Sequence, residues 1–101
     1  MTTTFSPKDP AEAIFYGVDF VNLLDTVETI SSATVSIRVT KGTDANPTAM
    51  LSGGVVIDGT AVRQKIIGGV VGAVYQLGFS ILTNTGQTFV EASPLQIIER
   101  D

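Results

Sequence analysis

The chain of 101 residues has no cysteine, no histidine and no tryptophan. Without cysteine there is neither a disulfide nor a thiolate metal site. Without histidine the usual general base and the commonest transition-metal ligand are missing. Basic residues are few, namely Lys8, Arg38, Lys41, Arg63, Lys65 and Arg100, and they are scattered along the chain. A nucleic-acid binder needs a concentrated basic face to displace counterions. Arg63 and Lys65 share one face of a strand, but two charges do not make a groove. The opening "MTTTFSPKDP" lacks the charged start and apolar block of a signal peptide. No apolar run approaches the roughly 18 residues of a membrane span. These absences predict a protein made in the cytoplasm that stays on the soluble side of any membrane. They also predict no nucleic acid, cofactor, metal or small-molecule substrate.

What is present is apolar and β-favouring. Hydrophobic residues make up 44% of the chain, enough for one modest core and one domain. The mean hydropathy is positive, which suggests apolar surface held against a partner. Residues 1–10 read as an extended arm, because Pro7 and Pro10 each push the preceding residue out of the helical region. The arm is either a frayed terminus or a segment that lies on a neighbouring subunit, for which Phe5 gives it one apolar anchor. The domain proper is expected over residues 11–101.

Strands follow from alternation. Ile14, Tyr16, Val18 and Phe20 share one face, with Phe15 on the other. In residues 21–31, Leu23, Leu24 and Val27 fit a turn or short helical loop that plugs one end of the core. "SATVSIRVT" is the cleanest strand, with Ala33, Val35, Ile37 and Val39 inward and Thr34, Ser36, Arg38 and Thr40 outward. Residues 41–50 are a loop, rich in the turn formers Gly42, Asp44, Asn46 and Pro47. Asp58-Gly59 is a tight-turn signal between two strands. The second of these carries Val62, Gln64 and Ile66 on one face and Arg63 and Lys65 on the other, which must be wet or paired with acid. Gly68-Gly69 breaks that strand. Ala73, Tyr75, Leu77, Phe79 and Ile81 then line the core. The opposite face is small around Gly78, where another backbone can come close. Residues 83–86 form a hairpin turn, and Pro94 marks a bulge or an edge in the last strand. About seven short antiparallel strands with no convincing helix predict an all-β sandwich.

The usual chemistry is absent. Carboxylates pair as Asp19 with Asp25 and Asp9 with Glu12, but no cleft is indicated around them for glycoside hydrolysis. Asp19, Asn22 and Asp25 offer oxygen ligands to calcium without the spacing of a strong motif. The glycine-rich "GGVVGAV" precedes a strand, whereas a phosphate cradle needs a helix N-terminus. No activated nucleophile is available.

Gly72-Ala73-Val74-Tyr75-Gln76-Leu77 resembles the sixth strand of an immunoglobulin-like sandwich. There a glycine turn precedes a tyrosine whose hydroxyl bonds back to the backbone. Further motifs run along the chain. Pro7-Lys8-Asp9-Pro10 is followed by Glu12 and then Gly17-Val18-Asp19-Phe20. A passage from Asp25 to Ser32 has the form of a spread D-T-I-x-S-S. Gly68, Gly69, Gly72, Tyr75, Thr83, Gly86 and Thr88 complete the pattern. Together these resemble small immunoglobulin-like virion structural proteins of tailed bacteriophages, except over residues 41–60. The resemblance implies a non-enzymatic component of the tail or head–tail region, of the type that joins fibres to the tail. It implies many copies in a symmetric assembly, other virion proteins as partners, and the virion as location.

The elements least explained by core packing are the candidate assembly contacts: Phe5, Pro7, Lys8, Asp9, Pro10, Phe15, Lys41, Asp44 and Asn46. Gly72 and Tyr75 are the expected structural corner. Two other functions stay open at this point. Capsid decoration would use the same kind of surface. A carbohydrate- or surface-binding module would need exposed aromatics, and both tyrosines fall on the core face.

Overall fold

A computed structural model describes residues 5–99. Six strands form two three-stranded antiparallel sheets. They are β1 (Ile14–Asp19), β2 (Ile30–Lys41), β3 (Leu51–Asp58), β4 (Ala61–Ile66), β5 (Val74–Thr83) and β6 (Thr88–Gln96). One sheet has the order β1-β4-β3 and the other β2-β5-β6. A parallel bridge between Lys8 and Ile97 supplies a seventh strand position. The only helical turn among the described residues is a 3-10 segment, Pro47–Met50. The two sheets follow the B-E-D and C-F-G orders of an immunoglobulin-type sandwich.

β5 is the middle strand of its sheet, and its alternation sets the core. Tyr75, Leu77 and Phe79 are fully buried, with Ile81 and Thr83 nearly so. They meet Tyr16, Val18, Val62 and Ile66 from the other sheet, together with Leu95 and Ile97 near the chain end. Each such apolar side chain contributes about 1.5–3 kcal/mol by leaving water. Gln64 is the polar member of the inward face of β4. Its amide nitrogen donates to the carbonyls of Ser52, Gly53 and Lys65 at 3.0, 3.2 and 3.2 Å. The first two bonds hold β3 where its register slips between Ser52 and Val56.

The turns are local in origin. β3 and β4 are joined through Asp58-Gly59, with Gly59 at φ 62°. In the β5–β6 hairpin the amide of Thr83 donates to the carbonyl of Gln87, and that of Gly86 to the carbonyl of Thr83. Pro94 lies on β6, at the edge of its sheet, with an unbroken register to β5. An edge tolerates a residue with no amide hydrogen.

Residues 21–29 take the expected turn form, but only Leu24 of the three apolar residues expected to plug the core does so. They form turns and no helix. Leu24 packs against the core, while Leu23 is exposed and Val27 is 82% exposed. The segment is instead tied down by Glu28, a buried carboxylate.

Residues 1–4 lie outside the described residues, but residues 5–10 pack on their own domain. Phe5 is buried between the sheets, 5.0 Å from the ring of Tyr16 and 6.0 Å from that of Phe79. The Tyr16 hydroxyl donates to the Ser6 carbonyl at 3.0 Å. The physical reason is burial: the Phe5 ring leaves water by packing on Tyr16 and Phe79. Phe5→Ala should therefore lower unfolding stability by about 3 kcal/mol, the range for a deleted core aromatic. Urea unfolding followed by circular dichroism checks this, and an unchanged midpoint would show that the arm is not part of the core.

Candidate assembly interface

Strand directions fix which loops meet. β1, β3 and β5 run one way and β2, β4 and β6 the other. One end of the sandwich therefore gathers residues 5–13, 42–50 and 67–73 with the segment after β6. The opposite end gathers residues 20–29, Asp58–Thr60 and the hairpin turn at 84–87. The Cα trace measures 45 × 24 × 21 Å.

The first end is bound together by polar contacts. Lys8 donates its amide to the Gln96 carbonyl at 3.0 Å and accepts from the Ile98 amide at 2.8 Å. Its ammonium is buried and donates to the carbonyls of Gly68 at 2.7 Å and Asp9 at 3.0 Å. Burial pushes the Lys8 ammonium below its ordinary pKa, opposed by the nearby carboxylates of Glu12 and Asp9. Asp9 and Glu12 close a turn around Pro10: the Asp9 amide donates to Glu12 Oε1, and the Ala11 amide to Asp9 Oδ1, both at 2.8 Å.

Tyr75 organises the rest of this end. Its hydroxyl accepts from the Val70 amide at 3.1 Å and donates to Asp44 Oδ2 at 2.7 Å. Asp44 Oδ1 accepts from the Asn46 amide at 2.9 Å. The phenol thus joins the 67–73 corner to the 42–50 loop. Gly72, at φ +87°, sends its amide to the Ile97 carbonyl at 3.0 Å. Gly69, at φ +104°, lies so close to Ile97 and Met50 that a Cβ would stand 2.8 and 3.1 Å from their side chains. The two hydrogen bonds pull the Asp44 carboxyl below its ordinary value. Burial and the Asp44 contact raise the Tyr75 phenol.

The residues singled out from sequence divide accordingly. Lys8 and Phe5 are buried inside their own domain. Asp9 and Pro10 are half-buried beside them. Pro7 lines a hollow of about 230 Å³ with Phe5, Val74, Pro94 and Gln96. Asp44 is engaged by Tyr75, whereas Lys41 and Asn46 are exposed around it. Phe15 sits apart, 56% exposed on the outer face of β1, in a shallow hollow with Val56 and Arg63. Arg63 pairs with Asp58 at 3.1 Å. Three exposed aliphatic residues, Ile67, Val70 and Val71, stand on the corner loop that also carries Gly68, Gly69 and Gly72. Sequence reasoning passed over them because the glycines pointed to a turn and nothing in the alternation gave those side chains a direction.

The opposite end is clamped by Glu28. Its Oε1 accepts from the Asp25 amide at 3.1 Å, and its Oε2 accepts from the Thr85 hydroxyl. Bonds from Thr85, Thr83 and the Asp25 amide hold the Glu28 carboxyl below its ordinary value. Thr29 and Asn84 exchange two further bonds across the same gap. This clamp presents Val21, Leu23 and Val27 to solvent. Asp19 Oδ1 accepts from the Val21 amide and the Thr60 hydroxyl. Among the described residues no group of three acidic side chains is arranged to hold a metal ion. The hollows are shallow and open, and none converges polar groups on one point. This surface can bury against another protein.

Tyr75→Phe would leave the Val70 amide and the Asp44 carboxylate without their shared partner. Stability should fall by about 1–3 kcal/mol, the usual cost of orphaned polar groups, and the amides of residues 43–46 should exchange faster. Acid should act at the same place. With Asp44 and Glu28 below their ordinary values of 3.8 and 4.5, the unfolded chain binds more protons as pH falls through that range. Their contribution, complete above about pH 4.5, is then lost progressively toward the lower folded values. Asp44→Asn should flatten the acid limb of a stability–pH curve, and an unaltered limb would remove Asp44 from the account.

A family model described as "Podophage GP4 fiber-tail adaptor protein gp77" matches residues 8–95 of the chain. No curated protein matches it. The chain belongs to this family of fibre-tail adaptors, and its function is that of a structural adaptor between fibre and tail.

Proposed function

We propose that this adaptor joins fibre to tail through the two loop-bearing ends of its sandwich, without catalysis. The observation that supports this reading is the pairing of rigidity with exposed apolar side chains at both ends. Val70 and Val71 sit on a corner fixed by Tyr75, and Val27 sits on a loop fixed by Glu28. Holding such loops still lowers the entropy lost when a partner covers them. Aliphatic residues that are wet in the free domain gain most from that burial.

Partners are other virion proteins, and the location is the particle, at the joint between tail and fibre. A closed ring of copies is the expected arrangement, since symmetric assemblies repeat one interface around an axis. The carbohydrate-binding reading has little support. Both tyrosines are buried, and the exposed Phe15 shares its hollow with an aliphatic side chain and an ion-paired arginine. Capsid decoration remains a different location for the same kind of surface.

Val71→Glu and Val27→Glu each place a charge on an exposed position and should leave the unfolding midpoint nearly unchanged. Each should reduce incorporation of the chain, or of fibres, into purified particles by tenfold or more. Mass spectrometry of particles gives both counts. A count near 6 or 12 copies per particle is expected for a closed ring at the tail. Wild-type incorporation by both variants would overturn the two-ended reading, and hundreds of copies would move the protein to the capsid surface.

A further inference from the structure

The four sheet edges of this domain are not equivalent. β6 carries Pro94 and receives the Lys8 bridge at its end. β3 has a register slip, Gly53 and Gly54 within it, and the side chain of Gln64 on the carbonyls of Ser52 and Gly53. β1 is six residues long and has Phe5 and Ser6 of the arm against Tyr16. These are the devices by which proteins blunt an edge against pairing.

β2 has none of them along its middle. It is the longest strand, 12 residues, and lies at the edge of its sheet. Irregularities occur only near its ends, at Ile30/Ser32 and Val39/Lys41. Residues 32–39 pair one-to-one with β5 from Ser32 opposite Leu82 to Val39 opposite Tyr75. Among the described residues, the backbone of 32–39 forms no hydrogen bond except those to β5. The 3-10 turn and β3 pack against β2, but neither bonds the backbone of 32–39. This stretch has no proline or glycine and is rich in residues that favour strands. It presents a regular row of unpaired donors and acceptors about 25 Å long.

The charge on this edge is of one sign. In a chain of net charge −4, β2 carries Arg38 and Lys41 and no acid. Both cations are exposed, and neither joins an ion pair among the described residues. A second copy of the chain pairing through its own β2 would bring the same two cations and no carboxylate. The row of backbone groups asks for an extended strand, and the charges ask for acid on it.

We propose that residues 32–39 of β2 are a receptor edge that takes an extended, acid-bearing segment of another virion protein as an added strand. This deepens the adaptor reading and rests on it. The added strand would extend the β2-β5-β6 sheet to four strands. Main-chain bonds would supply affinity, and Arg38 and Lys41 would set its register. The small outer face around Gly78, where a Cβ would lie 2.8 Å from Ser36 Oγ, leaves the neighbouring surface low. Side chains of the incoming segment can lean over it.

Backbone amide exchange tests this directly, comparing the isolated chain with purified fibre-bearing tails. Alternate amides within 32–39 should exchange at least a hundredfold more slowly in the tails. Arg38→Glu should leave the unfolding midpoint of the isolated chain unchanged and lower the number of fibres retained per tail by tenfold or more. If the chain is present in the tails, with its end loops protected but 32–39 exchanging as in the isolated chain, the edge proposal is wrong and the adaptor reading stands. If the isolated chain is a dimer by light scattering with 32–39 already protected, the occupant is a second copy and the proposal is overturned. Absence of the chain from tails would remove both readings.

Discussion

A phenol hydroxyl with no access to water must find partners inside the protein or lose stability. Tyr75 is in that position, fully buried at the start of the central strand β5. The partners it finds, the Val70 amide and the Asp44 carboxylate, come from two different loops. Satisfying one oxygen atom therefore fixes both the corner after β4 and the loop after β2. Val70 and Val71 owe their fixed display to this corner, and Asn46 is placed by its own bond to Asp44. Glu28 has the same role at the other end, where one buried carboxylate holds two loops in register.

An adaptor has to transmit load between two neighbours, which places its requirements on surfaces and not on a cleft. The domain is built in that sense. Its polar side chains with buried atoms are spent on loops and flanks: Lys8 under Gly68, Gln64 at the slip in β3, Glu28 across the hairpin. No buried side-chain polar atom among the described residues is left without a partner. What remains for contact is apolar and exposed, on elements that those bonds keep still. Membership of the fibre-tail adaptor family and this distribution of side chains point the same way.

The arm shows how closing the core and meeting a neighbour compete for the same residues. Phe5 reads as an anchor on a neighbouring subunit when only its sequence context is considered. In the folded chain the ring packs on Tyr16, eleven residues on, and on Phe79, and a site so near in the chain costs little entropy to reach. The buried Lys8 goes with it, since the parallel bridge to Ile97 carries its stem inward and leaves the ammonium to two carbonyls.

Local rules carried much of this structure. Period-two alternation is enough to show β2 and β5, because a strand with one face in the core must repeat every second residue. Asp58-Gly59, the hairpin at 83–86 and the glycine before Tyr75 are readable for a similar reason: each answers a backbone requirement within a few residues. The sequence by itself determined the sandwich and its turns. Only tertiary structure decided that Tyr75 would meet Asp44 across 31 residues, that Phe5 and Lys8 would turn inward, that Val27 would turn outward, and that β2 would keep an open edge. Those outcomes depend on which elements come to lie side by side, and pairwise burial between distant segments leaves no periodic mark on the chain.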